Sequence, residues 1–144
     1  MTQATFVYNF RKQFAPAILH GDKAQTIRQQ RKDGRVPKPG DLIRFFTGMR
    51  TAYCKKLGAS VMTDCFPVYM DLADLSARVI VSNGVRLNFG EMESFAKLDG
   101  FPSAIAMLEW FQRTYRANDS FSGFCIRWRP LRPAGTRRRL REVA

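Results

Sequence analysis

GDKAQTIR, residues 21–28, joins an apolar helix to a strand and decides how the first third of the chain is laid out. On its N-terminal side Phe14, Ala17 and Ile18 recur at helical spacing. Gly21 is the residue type that takes the left-handed backbone conformation closing a helix, so the pattern predicts a short helix ending there. On its C-terminal side Gln25 to Gln29 reads as a short extended stretch. Positions three apart on a strand face opposite sides, so Lys23 and Thr26 can meet only if Lys23 lies on the turn before the strand.

Working outward, ATFVYNF (4–10) alternates Phe6, Tyr8 and Phe10 with Thr5, Val7 and Asn9, the period of a strand with one buried face. RKDGRVPKPGD (31–41) packs charge among Gly34, Pro37, Pro39 and Gly40, predicting an exposed, mobile basic loop before a strand over 41–47. Apolar and β-branched runs at 61–70, 77–82 and 85–89 predict further strands, and Asn83-Gly84 marks a hairpin. A brief helix is expected over 91–98. A longer one is expected over 102–115, with Ile105, Leu108, Phe111 and Tyr115 facing the sheet. Phe121 to Trp128 supplies a closing strand, after which the Arg-, Pro- and Gly-rich terminus has little to bury. The expected architecture is α+β: a folded unit over 1–129, built as a small β-barrel with short flanking helices, and a flexible basic tail over 130–144.

A chain of 144 residues is the size of one domain, and no window approaches the roughly 18 to 20 apolar residues of a membrane helix. Met1 to Phe10 lacks the pattern of a secretory signal, and Cys54, Cys65 and Cys125 are odd in number and scattered. Both point to a cytoplasmic protein with reduced thiols. His20 is the single histidine, which argues against a metal site and against histidine-dependent catalysis; no cofactor is implied. Phosphate-loop, GxSxG and HExxH motifs are absent. The net charge of +12 is uneven: residues 11–60 carry +9, residues 61–126 carry −3 and residues 127–144 carry +6. Such excess exceeds what solubility requires and points to a polyanion partner.

Three segments in order, GDKAQTIR (21–28), KPGDLIRFFTG (38–48) and LDGFPSAIAMLEWF (98–111), resemble the ASCH family of the PUA-like superfamily, and TGMRTAYCKKLG (47–58) resembles the ASCH-like proteins of bacteriophages and prophages. The resemblance implies a PUA-like barrel with a cleft between barrel and helices, in a bacterial or phage-infected cell. It also implies RNA binding, ribonuclease activity or amide hydrolysis of N-acetylated cytidine. In the small amidohydrolases of the family a Lys, a Thr three positions on and an acid do the work. Lys23 and Thr26 match directly, while Asp99 stands where those enzymes carry Glu. Chemically, a Lys in a partly dry cleft can lose its proton and accept one from a Thr hydroxyl, which then attacks an amide carbon while the acid handles the leaving amine.

Each residue also has a plainer account. Lys23 could be a solvated charge after a helix C-terminus, Thr26 an ordinary strand residue and Asp99 a helix cap. Arg28 could hold a phosphate or pair with Asp41. For polyanion binding the further candidates are Arg31, Lys32, Arg35 and Lys38 on the loop and Arg50, Lys55 and Lys56 after the TG turn, with Tyr53 or Phe46 available to stack a base, although Phe46 reads better as core. Arg137, Arg138, Arg139 and Arg141 would add salt-sensitive affinity. Three functions stay open: a nucleic-acid or nucleoside binder, a hydrolase using the same cleft, and a module for an acidic protein partner. Composition does not address oligomeric state.

Overall fold

Alternation of apolar and polar residues produces strand β1 (Thr5–Phe10), with Phe6, Tyr8 and Phe10 buried and the residues between them exposed. The computed structural model describes residues 2–73, 79–81, 84–115 and 119–131. The expected tail beyond Leu131, with its four arginines at 137–141, lies outside the described residues, as does Asn83 of the expected hairpin.

A single 3-10 turn (Lys12–Phe14) leads into helix α1 (Ala15–His20), which Gly21 closes at φ 85°. Strand β2 (Gln25–Arg28) follows directly, and residues 31–41 form the expected loop before β3 (Leu42–Thr47). The chain then makes one long strand, β4 (Lys55–Asp71), and the short β5 (Val79–Val81) and β6 (Val85–Arg86). Antiparallel pairing of Val81 with Val85 agrees with a hairpin at this point. Helix α2 (Phe89–Leu98) starts earlier than its apolar pattern, because Asn88 and Glu91 form a reciprocal capping box. Helix α3 (Ala104–Thr114) is capped by Ser103, and β7 (Ser120–Trp128) ends the described fold.

β4 organises the sheet. Its first half pairs with β3 and its second half with β7, while Val68–Met70 also pairs with β5. β1 lies parallel to β3 and β2 antiparallel to β7. The hydrogen-bonded path therefore runs β2, β7, β4, β3, β1 and does not return from β1 to β2 among the described residues, so the sheet is not closed into a barrel. Cations over aromatic rings occupy this seam instead: Arg35 over Phe6 (4.4 Å), Arg31 over Tyr8 (5.7 Å), Arg28 over Phe10 (4.6 Å) and Lys23 over Phe14 (4.9 Å).

One continuous core ties sheet and helices together, with Phe10, Phe45 and Trp128 in mutual ring contact. Two expectations are corrected. Phe45 rather than Phe46 is the core residue of β3, because the strand begins at Leu42 and its odd positions point inward. Ile105 is half-exposed, and α3 packs through Ala104, Met107, Leu108 and Phe111, which share one face at spacings of three and four. Among the described residues no helix is long and apolar enough to cross a membrane.

Candidate functional site

Lys23 reaches the interior because its backbone is threaded between two helices. Its N–H donates to Ala17 O of α1, and the next N–H, of Ala24, donates to Leu98 O at the end of α2. Its stem crosses Gly100, where φ of +96° favours glycine and where a Cβ would press on Lys23 Cδ at 3.1 Å. The side chain is 2% exposed, which overturns the reading of Lys23 as a solvated charge.

At the end of that stem, Lys23 Nζ donates to Gln25 O (2.7 Å) and Asp99 O (2.5 Å) and lies 3.6 Å from Asp99 Oδ2. Asp99 follows the last turn of α2, its own N–H bonded to Phe95 O and Ala96 O, and Ser103 rather than Asp99 caps α3. The capping account of Asp99 is thereby replaced by a buried pair with Lys23. Burial pushes the Asp99 carboxyl up to about 6 against the opposing pull of Lys23 and Gln25. Burial also lowers Lys23, against the attraction of Asp99. The two shifts draw together the pH ranges in which acid and amine exchange their protons.

Gln25 holds the carboxylate from behind. It is fully buried, its Nε2 donating to Asp99 Oδ1 and to Phe95 O (both 3.2 Å), and its Oε1 accepts from Arg127 Nε (3.1 Å). Thr26 is buried on β2 and its hydroxyl accepts from Arg28 Nε (3.3 Å); no hydrogen bond joins it to Lys23 among the described residues. Arg28 does not pair with Asp41, whose carboxylate accepts from the Ala4 and Lys38 N–H groups. Arg28 Nη2 instead donates to Asn9 O (2.5 Å) across the open seam.

These groups face one hollow of about 310 Å³. Lys23, Thr26, Arg28 and Asp99 provide its polar surface, and Phe10, Phe14, Phe101, Trp110, Phe111 and Tyr115 provide aromatic walls, with Arg11 and Ile27 at the margin. Trp110 and Tyr115 are only half-buried, with Arg11 over one face of Trp110 and Phe111 stacked on one face of Tyr115. The larger hollow of about 660 Å³ lies beneath α2, lined by Asp64, Phe66, Glu91 and Arg127. It lacks a buried acid–base pair, so the smaller cleft is the stronger candidate.

The outer cations are arranged differently. Lys32, Lys38, Arg50, Lys55 and Lys56 are exposed, and none lines the cleft. In the basic loop Asp33 accepts from Arg31 and from the Arg35 N–H, and Arg31 and Arg35 stand over Phe6. Arg50 occupies a left-handed conformation (φ 66°) in a turn anchored by Met49 N–H to Asn9 Oδ1. Tyr53 is 86% exposed. Among the described residues no three His, Cys, Asp or Glu side chains gather to hold a metal ion, and Cys54, Cys65 and Cys125 are free thiols.

Sequence reasoning missed Gln25, Arg127 and the aromatic walls. Gln25 stands inside the quoted signature, next but one to Lys23, and a polar residue between Ala24 and Ile27 was its only signal. Comparison with protein-family models, with curated proteins and with solved structures gives no match to this chain.

Proposed function

We propose that this chain is an ASCH-type domain that binds RNA or a nucleoside in the Lys23–Thr26–Arg28–Asp99 cleft, its open, seam-filled sheet being a PUA-like barrel in curvature. One observation carries the reading: a buried acid–base pair, ammonium and carboxylate 3.6 Å apart, stands in a hollow of about 310 Å³ whose walls are aromatic. That volume is at the lower end for small-ligand sites. Half-buried rings at Trp110 and Tyr115 suit a base face, while Thr26 and Arg28 offer polar groups to its edge or to an attached sugar. The exposed cations on the 31–38 loop and after Gly48 add sequence-blind attraction to phosphates.

Titration of labelled RNA, single-stranded DNA and duplex DNA tests this, using the intact chain, Thr26→Val and Trp110→Leu. Neither substitution touches the Lys23–Asp99 pair, and Thr26→Val leaves Arg28 its bond to Asn9 O. Single-stranded RNA should bind best, and each variant should weaken it by about fivefold or more, the loss expected from one stacking or polar contact. Affinity untouched by both variants but abolished by raising salt from about 50 to 200 mM would assign binding to the outer charges and reject the cleft.

A second reading, amide hydrolysis of N-acetylated cytidine, draws support from the opposed shifts of Lys23 and Asp99. A neutral Lys23 can still donate to both carbonyl acceptors and keep a lone pair for the Thr26 proton. The reaction requires Thr26 to exchange its contact with Arg28 for one with Lys23 when substrate enters. Release of acetate from N-acetylcytidine, lost in Thr26→Val, is the expected result; no release by the intact chain rejects hydrolysis and leaves binding to be judged by titration.

A further inference from the structure

Arg28 has a second side. Beyond it from the cleft lies a separate hollow of about 220 Å³, bordered by Tyr8, Arg28, Arg31 and Arg35, with Val36, Pro37, Phe124 and Ile126 as an apolar surround. Tyr8 is 4% exposed and its O–H has no acceptor among the described residues, while the Arg31 guanidinium stands near enough to act on the phenolic oxygen as donor and as charge, and Arg28 acts on it as a charge. A buried hydroxyl left unpaired is costly, and it identifies a donor waiting for an acceptor.

All three arginines stand against the rings of β1. Each guanidinium lies 4.4–5.7 Å from the centre of a β1 ring. Arg28 is held by Asn9 O and Thr26, and Arg31 by Asp33, whereas the Arg35 side chain has neither a hydrogen bond nor a carboxylate partner among the described residues. Only Arg31 is directly ion-paired among the described residues, with Asp33; Asp99 acts on Arg28 and Asp41 on Arg35 from farther away, no carboxylate lines the hollow, and N–H donors plus the Tyr8 O–H remain uncommitted. A carboxylate ligand offers only two oxygens to such a set, while a phosphate offers more acceptors in a shape that planar guanidinium groups bind well. The ring faces of Phe6 and Tyr8 are already covered by guanidinium groups, which leaves no platform there for a base.

The geometry points to a phosphate pocket at Tyr8, Arg31 and Arg35, adjoining the nucleoside cleft and sharing Arg28 with it as a common wall. The occupant is a phosphate group of the nucleotide or RNA segment whose base enters the cleft, so this inference rests on the reading given under Proposed function. The ligand is then a phosphorylated nucleoside unit rather than a free nucleoside.

The test measures binding of cytidine, its 5′- and 3′-monophosphates, a short RNA and inorganic phosphate to the full chain, to Tyr8→Phe and to Arg35→Gln. Circular dichroism checks each variant's fold, and Tyr8→Phe removes a single oxygen. The expected result is that one monophosphate binds at least about tenfold more tightly than cytidine, the gain of one or two charge-assisted hydrogen bonds. That gap should shrink severalfold in both variants. A gap that survives both, or equal binding of nucleoside and nucleotide, overturns the pocket. Should the cations serve only to fill the seam, both variants will lower stability and leave the gap intact, which also overturns it. If cytidine fails to bind but phosphate does, and Arg35→Gln abolishes that, the pocket stands and the cleft reading falls. Binding of nothing at all rejects both.

Discussion

Asp99→Asn isolates the buried pair with almost no change in shape. The amide oxygen of the replacement can still accept from Gln25 Nε2, while the group that ionises is gone. The carboxyl moves from 3.8 to about 6 on folding, because burial disfavours its charged form more than Lys23 favours it. A folded pKa above the unfolded one means that the folded state holds the extra proton between about pH 4 and 6. Stability contributed by this group is therefore complete at the acid end and is lost as pH rises through about 6. The size of the loss follows from the shift at about 1.4 kcal/mol per pH unit, on the order of 3 kcal/mol. Other carboxylates titrate in the same range, so the informative quantity is the difference between the two proteins. Urea unfolding, followed by tryptophan fluorescence from pH 4 to 7, should show the intact chain losing about 3 kcal/mol relative to Asp99→Asn across this window. At pH 4, where the Asp99 carboxyl of the intact chain is protonated, the two stabilities should nearly coincide. A difference that stays constant with pH, or that grows in favour of the intact chain, would refute the claim that burial outweighs the ion pair.

Other substitutions probe how the site is carried. Leu108→Ala should cost about 2–5 kcal/mol in urea unfolding while Ile105→Lys stays within about 0.5, since only the first lies on the buried face of α3. Ser103→Ala should cost about 1 kcal/mol through loss of the bond to the Ala106 N–H, with the near-ultraviolet signal of the Trp110 environment changing little. In Gly123→Ala a new Cβ would sit 2.3 Å from Arg28 O, so β7 must move away from β2. Destabilisation of at least about 1–3 kcal/mol is expected, and faster amide exchange confined to β2 and β7 would locate it.

Local periodicity made much of this fold readable. The alternation in 4–10, the glycine stop at Gly21 and the aromatic run at 121–128 each report on partners within a few residues, and all three elements occur where that pattern put them. β4 was only half legible because its 17 residues serve β3, β7 and β5 in turn, so no single face is buried throughout. The apolar run marked a strand only over 61–70, whereas β4 begins six residues earlier at Lys55 and passes through Gly58. The cleft follows the same rule. Lys23, Thr26 and Arg28 stand out as a spaced motif, yet the motif does not show that Lys23 is buried. The ammonium is held by two main-chain oxygens, Gln25 O and Asp99 O, and a carbonyl has no letter in the sequence. The third partner is 76 residues away, and the side chain that orients it is in turn fixed by Arg127, which is 102 residues from Gln25. What decides whether Lys23 is a surface charge or half of a buried pair is thus the crossing of α1, α2 and β2 at Gly100. A Cβ at that position would press on the Lys23 stem at 3.1 Å. The glycine was visible only as one residue of the unit that introduces α3, and its effect on Lys23 arises from a contact that the linear spacing does not encode.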